Sequence, residues 1–363
     1  MKITLKNTPE QVQLIKAMAS KDKHVAYEAQ TALAEFIGPV LSEVINNAPA
    51  LSNLFTSVQY NSEDNPSIPL DLYYDVSDED YIQVFSQTRA GGLPTSEVHP
   101  TSSELKIATY SLDSAVSFDR RYAAKSRMDV VAKTMTRVAQ EILLKQNTIS
   151  GNVIMKALGG ATTNGLSHVI SANTANRFTL ADLNALMTRS KRIITSFVGG
   201  TPDARQGRGI TDIITSPEIV EELRAIAYNP INTKVAPAGS GTDSVRTADV
   251  IAEQAFSAAG APEFYGINVI ELNEFGDNQK FNKLFKANYA GSFTQATDQI
   301  VVGIDRSRES LIRPIAVDAE NGSDFSLVAD DQYSIRQKKI GYFGGLEEGR
   351  VVVDNRALLG VIV

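Results

Sequence analysis

The stretch SRMDVVAKTMTRVAQEILLKQNTISGNVIMKALGG, residues 126–160, decides how the rest of this chain is read. Ser126 stands at an N-cap position with Asp129 three residues on. Met128, Val131, Met135, Val138, Ile142, Ile149 and Val153 share one stripe, and Gly159-Gly160 stops the pattern. The spacing predicts a helix of about 33 residues, a rod of roughly 50 Å at 1.5 Å per residue. Strict heptads fail at Lys145 and Lys156, so the helix is expected to lie on a sheet rather than in a coiled coil.

Upstream, Ser117-Phe118-Asp119-Arg120-Arg121 reads as a strand running into a helix. Before it, residues 57–118 alternate in short runs, Leu70-Asp71-Leu72-Tyr73 and Tyr81-Ile82-Gln83-Val84-Phe85, around the turn-rich Ala90-Gly91-Gly92-Leu93-Pro94. Residues 105–118 return as one alternating strand. The pattern is a long hairpin with an irregular tip. At the start, Thr8-Pro9-Glu10-Gln11 has the form of a capping box, with Pro9 in the first helical position. An amphipathic arm helix follows, and Gly38-Pro39 is expected to kink it or divide it from residues 40–45.

Downstream, Thr179-Leu180-Ala181-Asp182 opens a second helix reaching about Thr195, and the glycine-rich residues 199–209 read as a hinge and a domain boundary. Residues 210–215 form a buried strand. Ser216-Pro217-Glu218 then caps a helix over 219–227, with Ser216 as N-cap. Residues 229–245 read as an exposed loop and 250–259 as a short helix. After 267 strands dominate: 267–272, 300–304, 311–317, 333–343, 349–353 and 358–363. The whole is a mixed α/β chain without a repeat of 20 to 50 residues.

With 363 residues, 43% of them hydrophobic and 21% charged, the chain has material for a substantial core. No cysteine occurs, which excludes disulfides, thiolate metal sites and cysteine nucleophiles. No apolar run has the length of a signal peptide or a membrane span. A net charge of −7 argues against affinity built on phosphate neutralisation. The charge is uneven, however. Between Glu63 and Glu104 stand nine acids against the single base Arg89, whereas Arg120, Arg121, Lys125, Arg127, Lys133 and Arg137 outnumber Asp119 and Asp129 in the next segment.

Catalytic constellations are missing. His24, His99 and His168 are isolated from one another and from acidic pairs at ligand spacing, so they read as structural or solvated. No phosphate-binding glycine loop, dinucleotide fingerprint or nucleophile elbow is present, and Ser216 is better explained as a cap than as a nucleophile. The pairs Glu221-Glu222, Asp330-Asp331 and Glu347-Glu348 read as solvated surface, because neighbours in sequence point in different directions. Asp78-Glu79-Asp80 lacks the spacing of a calcium loop. No enzyme, cofactor or metal is expected.

The order of these parts, an arm helix, a long two-stranded excursion, a long helix, a compact α/β region and late strands, resembles the Hong Kong 97-type major capsid fold of tailed bacteriophages. The segments 117–121, 126–158, 211–218 and 341–361 carry the likeness. The resemblance implies an N-arm (1–56), an E-loop with its base (57–116), a first part of a P-domain (117–205) with its spine helix at about 126–158, an A-domain (206–330), P-domain strands (331–348) and C-terminal strands returning to the A-domain (349–363). It further implies hexamers and pentamers of this chain closing an icosahedral shell around double-stranded DNA held without sequence preference, assembled in the host cytoplasm, with a portal and in some cases a decoration protein, and without a membrane. An encapsulin-type nanocompartment is the alternative within the same fold.

Two family variants bear on these residues. Some members crosslink through an E-loop lysine, but no lysine lies between Lys23 and Lys106, so that chemistry is not carried over. Others carry a long N-terminal scaffold segment; with about 50 residues ahead of the hairpin, a separate scaffolding protein is expected. Cohesion is then expected from docking the acidic hairpin, with Asp75, Asp78, Glu79, Asp80 and Arg89, on a neighbour's basic Arg120, Arg121, Lys125 and Arg127. Lys2, Lys6, Lys16, Lys21 and Lys23 of the arm are either structural or face packaged DNA.

Overall fold

The computed structural model describes residues 8–46, 51–61, 64–69, 92, 104–163, 165–193, 209–228, 263–264, 266–317, 324–330 and 338–363. They gather into two compact units. One is drawn from the segments up to Ile68, Glu104–Ser150 and Leu311–Val351, the other from Gly151–Ser310 and Val352–Val363.

In the first unit, helices α1 (Pro9–Met18) and α2 (Lys23–Asn46) precede strands β1 (Thr56–Asn61) and β2 (Ser67–Pro69). Then come β3 (Glu104–Lys106), β4 (Thr109–Asp119), the short α3 (Arg120–Ala124) and α4 (Met128–Gly159). Strand β2 pairs with β3, closing the base of the expected hairpin, whose two apolar runs lie outside the described residues. The returning strand is broken in two at Ile107-Ala108.

The arm breaks elsewhere than expected. Helix α2 runs unbroken through Gly38-Pro39, and the division falls at residues 19–22, where Asp22 accepts the His24 N–H at 3.0 Å and so caps the second helix. Gly38 lies against β13 (Ser326–Asp330), where a Cβ would stand 3.7 Å from that of Leu327. Packing thus holds a helix that Pro39 alone would interrupt. The capping box at Thr8 does not form either: the Thr8 side chain makes no cap bond, and Oε1 of Gln11 is buried without a partner.

Helix α4 is 32 residues long, close to the predicted rod. Its buried stripe starts as read, at Val131, Met135, Val138 and Ile142. It then continues through Gln146, Ser150, Ile154 and Leu158, leaving Ile149 and Val153 only half-buried. Each step of four drifts by about 40° on a 3.6-residue helix, so the buried stripe winds round α4, and two of its positions are polar. Ser126 is not an extended N-cap; it takes a left-handed φ of 51° with its hydroxyl buried and unpartnered.

The sheet of the first unit has β14 (Lys339–Gly349) at its centre. Along one edge β14 pairs antiparallel with all of β4; along the other it meets β13 and then β12 (Leu311–Val317), which in turn holds β1 in parallel. Side chains Ile340, Tyr342 and Leu346 of β14 join Leu112 and Phe118 of β4 in a core with Val131, Met135 and Ile142 of α4 and Leu33, Ile37 and Leu41 of α2. The long helix therefore packs on a sheet, as its broken heptads predict.

The second unit carries the hairpin β5 (Thr162–Thr163) and β6 (Leu166–Ser167), then β7 (Val169–Ser171), α5 (Leu180–Ile193), β8 (Asp212–Thr215) and α6 (Pro217–Tyr228). β9 (Glu263–Phe264), β10 (Ile267–Glu271), α7 (Lys280–Asn288), β11 (Ile300–Ile304) and β16 (Leu358–Ile362) follow, while β15 (Val351–Val352) pairs with β12 in the first sheet. Its sheet has the order β7-β16-β11-β8-β10-β9. Two expected caps form: Asp182 accepts the Thr179 N–H at 2.9 Å, and Oγ of Ser216 accepts the Ile219 N–H at 3.4 Å. Helix α7 is not anticipated from the strand-rich reading, although Phe281 and Phe285 stand at helical spacing and are fully buried. The expected boundary at 199–209, the 229–245 loop and the 250–259 helix lie almost wholly outside the described residues. The order of elements implied by the resemblance is otherwise present.

His168 is buried in this unit. Its Nδ1 lies 3.0 Å from the Leu358 carbonyl and its Nε2 2.8 Å from Oγ1 of Thr163. Burial lowers its pKa, against smaller opposing effects of the backbone bonds and Asp354. Below the ordinary histidine value of about 6.5, the unfolded chain takes up a proton that the folded one resists, so stability falls as pH drops through that range. His168→Gln should flatten this slope in denaturant midpoints measured from about pH 7 to 5; an unchanged slope would contradict the assignment. Gly151 gives a second check. A Cβ there would stand 2.1 Å from the Phe281 ring, so Gly151→Ala, normally stabilising in a helix, should lower stability by about 1–3 kcal/mol in thermal unfolding.

Candidate functional site

Two features of the first unit matter for what the chain can do: a charged hub beneath the sheet and an exposed basic and apolar surface. The hub begins with strand parity. Along β14, Leu346 and Glu348 turn inward while Glu347 turns outward. Glu348 is fully buried, which corrects the reading of Glu347-Glu348 as solvated surface. One carboxylate gathers four partners. Oε2 accepts from Nε of Arg313 at 2.7 Å and from Nε2 of Gln146 at 3.1 Å; Oε1 accepts from the Tyr110 hydroxyl at 3.0 Å and pairs with Nη2 of Arg350 at 2.9 Å.

Arg350 extends the network. It donates to the Gln146 carbonyl at 2.7 Å and to Oγ of Ser52 at 2.9 Å, and its guanidinium stands 5.9 Å from the centre of the Phe55 ring. Burial lowers its pKa, opposed by Glu348. Burial also raises that of Tyr110, so the phenol stays protonated and donates. The hub thus joins β4, α4, β12, β14 and the turn before β1 at one point. Two sequence signals pointed here and went unused: a lone arginine inside the apolar run Leu311–Val317, and the odd-even placement of the two glutamates.

The two oxygens of the hub's carboxylate are engaged by four donors, an arrangement that ties strands and helix together. Among the described residues, no group of three His, Asp or Glu could hold a metal ion.

The surface residues named from the sequence divide into two sets. Asp75, Asp78, Glu79, Asp80 and Arg89 lie outside the described residues. Arg120, Arg121, Lys125 and Arg127 are brought together around α3. Arg120 is turned inward, donating from Nε and Nη2 to the Ala19 carbonyl at 3.2 and 2.9 Å. Arg121 closes on its own Asp119 at 2.8 Å; that pairing lowers the Asp119 pKa and raises the Arg121 pKa. Lys125 and Arg127 are exposed, beside the 44% exposed Tyr122. Further apolar exposure lies on α2, at Val25, Phe36 and Val40, and on the cross-strand pair Val328 and Phe343 of the sheet. Of the arm lysines, Lys16, Lys21 and Lys23 are exposed, whereas Lys2 and Lys6 fall outside the described residues.

No family model and no curated protein matches the chain. Solved structures do resemble it, and most of those similar to it are capsids. The capsid of the native GTA particle is 10% identical, with a TM-score of 0.49 over 86% of this chain and 89% of that one. The asymmetric unit of the bacteriophage PhiM1 mature capsid is 11% identical, with a TM-score of 0.48 over 86% of each chain. The holo-SrpI encapsulin complex from Synechococcus elongatus PCC 7942 is 12% identical, with a TM-score of 0.41 over 72% of this chain and 75% of that one.

Removing the shared carboxylate tests the hub. Glu348→Ala leaves two buried guanidiniums without their counter-charge and should cost about 3–5 kcal/mol in denaturant unfolding. A cost under about 1 kcal/mol would mean that the arginines find other partners.

Proposed function

We propose that this chain is the shell subunit of a tailed-phage capsid, assembling into hexamers and pentamers that close around double-stranded DNA. The observation that carries the reading is the order of elements: an arm of two helices, a hairpin base, an 11-residue strand running into the short α3, a 32-residue helix on the sheet, and a central strand supplied from near residue 340. In this reading the N-arm is 1–56, the E-loop 57–116, the P-domain 117–205 with 331–348, and the A-domain 206–330 with 349–363. Portal, separate scaffold and any decoration protein are partners of the assembled shell.

Cohesion in such a shell is non-covalent. Exposed apolar side chains on α2 and on the β13–β14 pair supply area to bury. The acidic hairpin supplies charge complementary to a neighbour's basic rim. Arg120 and Arg121 are engaged within their own chain, so Lys125 and Arg127 are the side chains that meet Asp75, Asp78, Glu79 or Asp80. Each exposed pair contributes about 0–1 kcal/mol, small singly and register-setting when repeated around a shell.

Negative-stain microscopy of purified protein should show closed particles of megadalton mass; a compact monomer or dimer would overturn the reading. Nucleic acid within the particles supports a genome shell, and a protein cargo supports a nanocompartment instead. Reversing Lys125 and Arg127 to glutamate should raise the subunit concentration needed for assembly about tenfold at low salt and less at high salt. Equal assembly across the salt series would exclude the charge docking.

A further inference from the structure

A polar cavity of about 390 Å³ lies in the first unit, over the parallel β1–β12 pair. The register sets Ser57 opposite Arg313 and Gln59 opposite Ile315, so these side chains share one face and form its floor. Asn46 at the end of α2, Ser52 and Asp324 contribute walls.

Arg313 gives the cavity its character. Its side chain is only 4% exposed, and Nε is taken by Glu348. Its two terminal amino groups have no hydrogen-bond partner among the described residues. Among the described residues, two buried guanidiniums, Arg313 and Arg350, share the single carboxylate of Glu348, two positive charges against one negative. Asp324 makes no ion pair with Arg313; it accepts from Ser42 and from Nδ2 of Asn46. A buried charge is stable when paired and fully hydrogen-bonded, and the parallel N–H groups of a guanidinium match the two oxygens of a carboxylate. Asp324 on the wall favours a singly charged group over a dianion such as phosphate. The hydroxyls and amides of Ser52, Ser57, Asn46 and Gln59 suit the peptide groups flanking an acidic side chain.

We infer that this cavity receives an aspartate or glutamate carboxylate from the acidic stretch 71–97 of a second copy of the chain, gripped by the terminal amino groups of Arg313. The inference rests on the shell reading and adds a specific anchor to the charged rim at Lys125 and Arg127. Composition favours this occupant: residues 70–103 hold six acids, Asp71, Asp75, Asp78, Glu79, Asp80 and Glu97, and the one base Arg89. Reach does as well. From Lys339, which pairs with Asp119 next to the basic rim, to Glu348 at the hub, β14 covers about 30 Å at 3.4 Å per residue. Asp71 and Asp80 are separated by the same number of residues, so one extended segment is long enough to touch both places.

The test is calorimetric titration of full-length, dissociated subunits with four probes: a synthetic peptide of residues 70–90, the same peptide with its aspartates changed to asparagine, sodium acetate, and inorganic phosphate. The acidic peptide should bind, and the asparagine version at least tenfold more weakly. Ser57→Trp, placed on exposed β1 and filling the cavity from its floor, should weaken the peptide at least tenfold while the far-UV spectrum stays native. Arg313→Lys, which keeps the charge but loses the fork, should weaken it similarly. Acetate or phosphate binding without peptide binding would overturn the second-copy source in favour of a free anion. No binding by any probe, or peptide binding unchanged by Ser57→Trp, would overturn the site. The shell reading fails separately, through absence of closed wild-type particles.

Discussion

One fully buried carboxylate sets the geometry of the first unit. Four donors converge on Glu348 beneath the sheet, and they come from β4, α4, β12 and the residue just past β14. A slip of one residue in β14 would turn Glu348 to the other face and carry Arg350 with it, away from Gln146 and Ser52, so the hub fixes register as well as position. Packing favours the same register, since a side chain shifted onto Gly344 would meet the Phe325 ring. Such a network adds little net stability over an apolar core of equal volume. Its value here is in selecting one pairing of eleven-residue strands.

The first unit also leaves much of its exterior uncommitted. Phe36 on α2 and the Val328–Phe343 pair expose apolar surface, and Lys125 and Arg127 are exposed beside Tyr122. Arg120 and Arg121, equally basic in sequence, are consumed within the chain. A surface with apolar centres and separated charge is suited to repeated contacts between copies, where each contact is weak and its multiplicity decides the outcome.

Most element positions were legible because they rest on local periodicity and punctuation. The Gly159-Gly160 stop, the Thr179 and Ser216 caps and the strands at 300–304 and 311–317 fall where read. What was not legible depended on partners distant in sequence. Pro39 stays helical because α2 is held against β13. Gln146 is turned inward because Glu348, some two hundred residues later, needs a donor. Helix α7 was hidden by a short window in which two phenylalanines at helical spacing compete with a strand-rich neighbourhood. The basic rim is visible as composition, yet only geometry separates the two arginines engaged within the chain from the exposed Lys125 and Arg127.

The central strand of the first sheet is made after every strand that pairs with it. Strands β4, β12 and β13 are all made before β14, yet each pairs with it, and Ser52 waits for Arg350 across almost three hundred residues. Pairings of such sequence separation are slow to form. A nascent chain therefore lacks a finished sheet until residues 339–350 have been synthesised. If copies recognise one another through that sheet, translation itself delays association until β14 has been made.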